Sequence, residues 1–515
     1  MFIKNEKKIL YNNFLSLYIR GFENNNYCGI PHSKQKWVDR EKIEDTKEEW
    51  NNFKTDWENY KLDFQRISVF PGDNETELNF AWYSTSTRTP AICWGTDEKL
   101  ETCTKFKGTV ENEYVVNNIS YYSNKVTVKG LEPNSTYYYK RKLNGIYEDT
   151  IIRFDTYDPK NFKFIFVGDP QIGGSYKRVT TTNFYEKGLN VEEGTRNDAF
   201  NWNRTISTAY EMTGRQPSLL LSAGDQADEE DYKKRYNEEI EYSALLLPKQ
   251  MQQMPMAAAL GNHDNNFDTF TRHFNPPNPL KNPSYYNKDD GFGGYLSGYN
   301  YYFKYNNVLV VVLETNHDNC DDFKNIIVEG INKYPNTDWR IAMFHHDIYG
   351  DGVTHAHSDK IIQNYRACLT KLLNGYKFDL VINGHDHVYT ASKFVSYREN
   401  APNEGEYEIS EIKENEVNHD PKGPLFITAN CSTGAKLHEA TNDLEQYPYV
   451  NKNQQTYTST FGILDFGEMV NGRVSLEITT YEVENRNITD GPYKIEKQAR
   501  VNNNLFKIFI YLFLC

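Results

Sequence analysis

Leu380-Val381-Ile382-Asn383-Gly384-His385-Asp386-His387 decides the reading of this chain of 515 residues. Three branched aliphatic residues form a short apolar run of the kind that makes a buried strand. The run stops at a glycine and hands over to two histidines separated by one residue. In extended backbone, residues two apart project to the same side. His385 and His387 therefore present neighbouring imidazoles at a strand end, an arrangement suited to a metal ion.

The same pattern recurs upstream. Phe162-Lys163-Phe164-Ile165-Phe166-Val167 runs into Gly168-Asp169-Pro170-Gln171. Ser218-Leu219-Leu220-Leu221 leads to Gly224-Asp225-Gln226-Ala227-Asp228, and a third polar turn follows at Gly261-Asn262-His263-Asp264. Val308 to Leu313 is another apolar run. Arg340-Ile341-Ala342-Met343-Phe344 opens directly onto His345-His346, with His355 and His357 just beyond. Helical stretches alternate with these runs. An α/β domain over 160–485 places its chemistry at the carboxyl ends of such strands.

Each motif alone has an ordinary explanation. A strand-ending Asp commonly caps a helix, Asn262-His263 could be a turn, and His345-His346 could be a partly buried pair. Five in sequence ask for a common cause, and charge supplies one. Two cations held ~3.5–4 Å apart repel, and a carboxylate between them offsets that repulsion. Imidazole and amide oxygen complete the coordination without adding negative charge. Such a ligand set, free of thiolate, fits Fe, Mn or Zn better than a structural Cys–zinc site.

The rest of the chain sets the context. Lys+Arg is 57 and Asp+Glu is 71, a net −14, which argues against nucleic acid as the main partner. Charged residues at 25% and aromatics at 15% exclude general disorder. No stretch reaches the ~18 uncharged apolar residues of a membrane helix. The apolar Leu505 to Cys515 is too short and is interrupted by Lys507.

Residues 1–62 read as a polar, helical appendage, with Trp50 and Trp57 on one face of a helix spanning Glu41 to Tyr60. Residues 63–157 change to short alternating runs separated by turns such as Pro71-Gly72-Asp73-Asn74, which predicts a β-sandwich. The acidic 400–423 segment reads as a surface insertion and 486–515 as a tail. Cys93 and Cys103 could bridge a hairpin or remain two half-buried thiols. Six Asn-x-Ser/Thr sequons, at Asn74, Asn118, Asn134, Asn203, Asn430 and Asn487, with the possible bridge, suggest a secreted or extracytoplasmic protein. The N-terminus makes a poor signal peptide: Asn12 and Asn13 interrupt the segment after Lys4, Lys7 and Lys8, and a small-residue cleavage site is missing.

There is no GxxxxGK[ST] loop and no GxSxG elbow. Gly291-Phe292-Gly293-Gly294 lacks the context of a dinucleotide loop and reads as an active-site loop with Tyr295. Tyr285, Tyr286, Tyr299, Tyr301 and Tyr302 cluster nearby, as cleft lining or as packing.

The five motifs resemble the calcineurin-like metallophosphoesterase superfamily. The sandwich ahead of them resembles the purple acid phosphatase branch. Leu131 to Tyr139 followed by Phe154-Asp155-Thr156 is similar to a fibronectin type III module, with Trp82 as core tryptophan and one of Tyr137, Tyr138 and Tyr139 as its tyrosine corner. The resemblance implies a four-layer αββα catalytic domain behind an all-β sandwich domain. It also implies a binuclear centre that hydrolyses small phosphate esters, as an acid phosphatase does with phosphomonoesters, through metal-bound hydroxide. Carried over by motif, Asp169 and His387 would hold the first metal and Asp225 would bridge. Asn262, His345 (alternative His346) and His385 would hold the second. His263 and His355 (alternative His357) would bind phosphate or protonate the leaving oxygen.

The chain departs from the branch at two positions. Asp228 stands where the purple enzymes carry the Tyr that binds ferric iron, and Tyr232 is out of register. Gln171 stands where other superfamily members have a ligating His. Asp228, Gln171 or water could fill the gap at the first metal, and a colourless or weakly coloured protein is expected. The alternatives are a phosphodiesterase or nucleotide-cleaving enzyme of the same superfamily, or a non-catalytic surface binding protein on a relic scaffold.

Overall fold

The computed structural model describes residues 46–176, 189–229, 234–264, 268–281, 299–317, 319–403, 405–441 and 445–500. Several expectations lie outside them: most of the N-terminal appendage, Tyr232, the Gly291 to Gly294 stretch with Tyr285, Tyr286 and Tyr295, and the apolar C-terminal segment.

The N-terminal domain packs two antiparallel sheets face to face. One runs Ser68–Pro71, Glu77–Ser84, Ile119–Lys129, Thr109–Val116; the other is built on Ala91–Gly95 and Thr136–Leu143. Alternating residues fill the space between them, with Phe80, Trp82, Ile92, Trp94, Val126, Val128 and Tyr139 buried. Tyr137 is the tyrosine corner: its hydroxyl accepts the Glu132 N–H at 2.9 Å. Cys93 and Cys103 are disulfide-bonded. Arg235 and Arg272 of the catalytic domain lie 4.2 and 4.5 Å over the Tyr114 ring, joining the two domains.

The helix Lys47–Tyr60 buries Trp50 and Trp57 as its spacing requires. Trp50 meets Phe200 of the helix Val191–Met212 edge-on at 5.3 Å. The described part of the appendage is thus packed onto the catalytic domain.

The catalytic domain has two stacked sheets between helices. The first runs Met256–Ala258, Pro217–Ser222, Phe162–Val167, Thr460–Phe466, Arg473–Glu482, Ile488–Gln498, Val417–His419. The second runs Tyr301–Tyr305, Val308–Val312, Trp339–Met343, Leu380–Asn383, Leu425–Thr428, Tyr389–Tyr397, Tyr407–Ser410. Within each sheet the strands that lead into the motifs run parallel to one another, and Phe162–Val167 pairs antiparallel with Thr460–Phe466 on its other side.

Period-two alternation sorts the second sheet into two cores. Val308, Val310, Val312, Ile341, Met343, Leu380 and Ile382 face the first sheet. Leu309, Val311, Ala342 and Val381 face the helices Cys320–Lys333 and Lys360–Gly375, packing on Phe323, Ile326, Ile327 and Leu369. Each run is apolar throughout because both of its faces are covered. A one-residue slip would exchange the two faces.

Two boundaries differ from the sequence reading. Ile488–Gln498 is a strand between Arg473–Glu482 and Val417–His419, so the catalytic domain continues past 485. Only one of its faces is covered, where Tyr493 and Ile495 are buried, and polar residues around them mask the pattern. The 400–423 segment supplies edge strands to both sheets, Tyr407–Ser410 and Val417–His419, and is not a free insertion. A second disulfide, Cys320–Cys368, ties together the two helices covering the second sheet. Among the described residues no helix is long and apolar enough to cross a membrane.

Candidate metal centre

Where the parallel strands end, the chain turns sharply. Asp169, Gln171, Asp225, His385 and His387 all have positive φ, between 33° and 72°, a conformation that non-glycine residues seldom adopt, so His385 and His387 are not in the extended backbone that their spacing suggested. Such backbone persists where the surroundings enforce it, commonly at functional sites. Glycines allow the turns to close on one another. A Cβ on Gly261 would fall 1.9 Å from Asp225 Oδ1, and one on Gly384 would fall 2.5 Å from Asp169 Oδ2.

Two ligand sets result, and Asp225 belongs to both. In the first, ligand atoms of Asp169, Asp225 and His387 lie within 4.8 Å of one another. In the second, His345 Nε2 is 3.0 Å from Asn262 Oδ1, 3.2 Å from His385 Nδ1 and 3.3 Å from Asp225 Oδ2. His385 Nδ1 is 3.0 Å from Asn262 Oδ1. Ligand atoms bound to one ion at about 2.0–2.1 Å sit roughly 3.0–3.4 Å from each other. The second set already has that spacing.

The histidine tautomers suit ligation. His345 Nδ1–H donates to the Ala223 carbonyl at 3.0 Å, and His387 Nδ1–H donates to the Lys436 carbonyl. Both then present Nε2 to the carboxylates. His385 donates Nε2–H to Asp359 Oδ2 at 3.1 Å and presents Nδ1. Metal-ligating histidines characteristically have their second nitrogen tied in this way.

Electrostatics point the same way. Burial pushes the Asp169 carboxyl well up, against the attraction of His345. Burial also acts to raise Asp225, but His345 and His263 outweigh it and hold Asp225 well below the usual carboxylate range. Burial acts to lower His345, yet Asp225 and Asp169 raise it to about 9. The point where Asn262, Asp225 and His385 meet therefore attracts positive charge. His385 and His387 are pushed down by burial and stay neutral, the form that offers a lone pair.

The structure separates the alternatives. His346 bonds Thr315 Oγ1 at 2.9 Å, whereas His345 is the member whose Nε2 enters the cluster. His357 is held by Asp351 Oδ1 at 2.9 Å and stacks on Tyr447 at 3.5 Å. His355 instead stands against His385, with ring centroids 4.4 Å apart. His263 Nδ1–H donates to the Asp228 carbonyl at 2.9 Å, and its Nε2 lies 4.0 Å from Asp225 Oδ2. The Asp228 carboxylate is paired with Lys436 Nζ at 2.8 Å. Gln171 is fully buried, its amide nitrogen 3.5 Å from Asp225 Oδ2 and its Oε1 without a partner. Of the two candidate extra ligands, Asp228 is paired with Lys436 and Gln171 has a buried oxygen with no partner. Tyr299, Tyr301 and Tyr302 are buried and packed.

Three residues escaped the sequence reading. Asp359 accepts from His385 and from His355 Nδ1, at 3.1 and 3.0 Å. Asp264, buried behind the ligands, accepts the N–H groups of Gln226, Ala227 and Gly261 and so joins the second and third motif loops. Its place in Gly-Asn-His-Asp was a signal. Lys436 had none, being one lysine in a loop far along the chain.

A family model described as calcineurin-like phosphoesterase matches residues 162–389. The catalytic domain belongs to that family. A second model, the purple acid phosphatase N-terminal domain, matches 64–151, the sandwich. Among solved structures, the purple acid phosphatase PPD1 from yellow lupin (Lupinus luteus) seeds is 15% identical. The match covers 85% of this chain and 75% of the lupin chain at a TM-score of 0.57, a likeness of fold. A putative 5′-nucleotidase from Staphylococcus aureus, in complex with alpha-ketoglutarate, is 13% identical over 66% of this chain and 55% of that one. Its TM-score of 0.32 is too loose to carry an argument. No curated protein sequence matches the chain. The calcineurin-like phosphoesterase domain thus carries both candidate ligand sets, whose donors fit metal ions.

Proposed function

We infer that the chain is a binuclear metal-dependent phosphoesterase that hydrolyses phosphate monoesters. The observation supporting this most is the single Asp225 carboxylate shared by two ligand sets. Asp169, Asp225 and His387, with Gln171, would hold one ion; Asp225, Asn262, His345 and His385 would hold the other. When bound, the ions supply Lewis acidity toward phosphate oxygen and lower the pKa of water.

The chain's own groups do the rest. The carbonyls of Ala223 and Lys436 and the Asp359 carboxylate fix the tautomers of the ligating imidazoles. His263 presents Nε2 beside Asp225, and as an imidazolium it would donate Nε2–H to a phosphate oxygen. His355 is the more exposed of the two non-ligating imidazoles and is oriented by Asp359, as a proton donor to the leaving oxygen should be. Asp228 at the position of the purple branch's tyrosine supports a colourless enzyme. Fe, Mn and Zn all suit the donors. The two disulfides support residence in an oxidising, extracytoplasmic compartment.

Purified protein reconstituted with manganese, iron or zinc should hydrolyse p-nitrophenyl phosphate faster than bis-p-nitrophenyl phosphate. Preference for the diester would favour the phosphodiesterase reading. Two bound ions with no turnover of either ester would leave only a binding scaffold.

A further inference from the structure

We propose that Lys436 is the residue that selects phosphate monoesters over diesters, by binding the additional anionic oxygen a monoester carries. The inference rests on the phosphoesterase reading and goes beyond it in naming the selecting group. Lys436 lies in the loop after the strand Leu425–Thr428, remote in sequence from every motif. Its backbone and its side chain serve the same centre in different ways. The backbone carbonyl takes His387 Nδ1–H and so sets a metal-ligand candidate. The ammonium group lies 2.8 Å from Asp228 Oδ1 and 3.3 Å from His263 Nε2.

His263 Nδ1–H is committed to the Asp228 carbonyl, so in the neutral imidazole the Nε2 facing Lys436 is an acceptor. An ammonium has three N–H donors. Asp228 and His263 use two, and the third is available to a ligand. His263 Nε2 is itself 4.0 Å from the shared Asp225 carboxylate, which places Lys436 at the edge of the centre. At 19% side-chain exposure the group is partly desolvated, which strengthens a charge-assisted bond.

A monoester dianion carries one more anionic oxygen than a diester, where an ester link takes that place. Lys436 rewards the extra charge and offers nothing comparable to a second alkyl or aryl group. Asp228 keeps the lysine in position and balances its charge when the site holds no phosphate.

The test is Lys436→Gln in the metal-loaded full-length protein, with Lys436→Arg beside it. Backbone contacts are kept in both. The ratio of kcat/KM for p-nitrophenyl phosphate to that for bis-p-nitrophenyl phosphate should fall roughly 10–100-fold in the Gln variant, the effect of losing one charge-assisted hydrogen bond. The Arg variant should recover part of it. Metal content by elemental analysis should stay at the wild-type level. Inorganic phosphate binding by calorimetry should weaken by a similar factor. Calorimetry needs no turnover, so it judges Lys436 even if the wild type proves inert on both esters. Equal losses on both substrates, or unchanged phosphate affinity, would overturn the proposal.

Discussion

Replacing Asp359 with Asn should loosen the second metal site without touching a ligand. Asp359 Oδ2 accepts from His385 Nε2 at 3.1 Å and from His355 Nδ1 at 3.0 Å. One carboxylate oxygen thus orients a candidate ligand and a candidate acid. Losing such a partner typically weakens metal binding by about 10–100-fold, or about 1.4–2.7 kcal/mol. The Asp359 side chain is 33% exposed, so water competes for its charge and the loss should sit near 10-fold. Chelator-stripped protein would be titrated with zinc against a chromophoric competitor. Asp359→Asn should show a weakened second binding step and an unchanged first one. Because the acceptor that orients His355 loses its charge too, the rate should fall more on an alkyl phosphate than on p-nitrophenyl phosphate, whose leaving group needs no proton. If the second step matched wild type while Asp225→Asn abolished it, the assigned role of Asp359 would be refuted.

Gln171→Ala should lower affinity for the first ion and leave the second site intact, whereas Gln171→His should restore or exceed wild-type affinity; elemental analysis after graded dialysis reads both. The Cys320–Cys368 bridge closes a separation of 48 residues and Cys93–Cys103 one of 10. Loop entropy then gives about 4 kcal/mol for the longer and about 2.7 kcal/mol for the shorter. Urea unfolding of Cys320→Ser/Cys368→Ser should therefore show the larger loss. Burial raises the Asp198 carboxyl to about 7, although Ser175, Asn197 and Gly173 bond to it. A carboxyl raised on folding contributes stability that is fully present below its unfolded value near 4 and is lost as pH rises through 7. The stability of wild type relative to Asp198→Asn should thus decline between pH 5 and 8, and a flat difference would count against it.

The parallel strands were legible because burial on both faces makes each an uninterrupted apolar run, as in Val308–Val312 and Leu380–Asn383. The motifs were legible because ligands must stand at strand ends. The strand Ile488–Gln498 was hidden because one covered face asks for few apolar residues. The choice between His345 and His346 was open because adjacent side chains differ only in which way the strand end points them, and that depends on the sheet.

Local sequence determined the donor chemistry: which turns carry Asp, Asn and His, and that Asp228 and Gln171 replace the usual Tyr and His. Tertiary structure alone decided which donors share an ion and which groups lie behind them. Lys436, Asp359 and Asp264 reach the centre through loops that only the stacked sheets bring together. A side chain's neighbours across space leave no period or spacing in the sequence, because closing a long loop needs no local pattern.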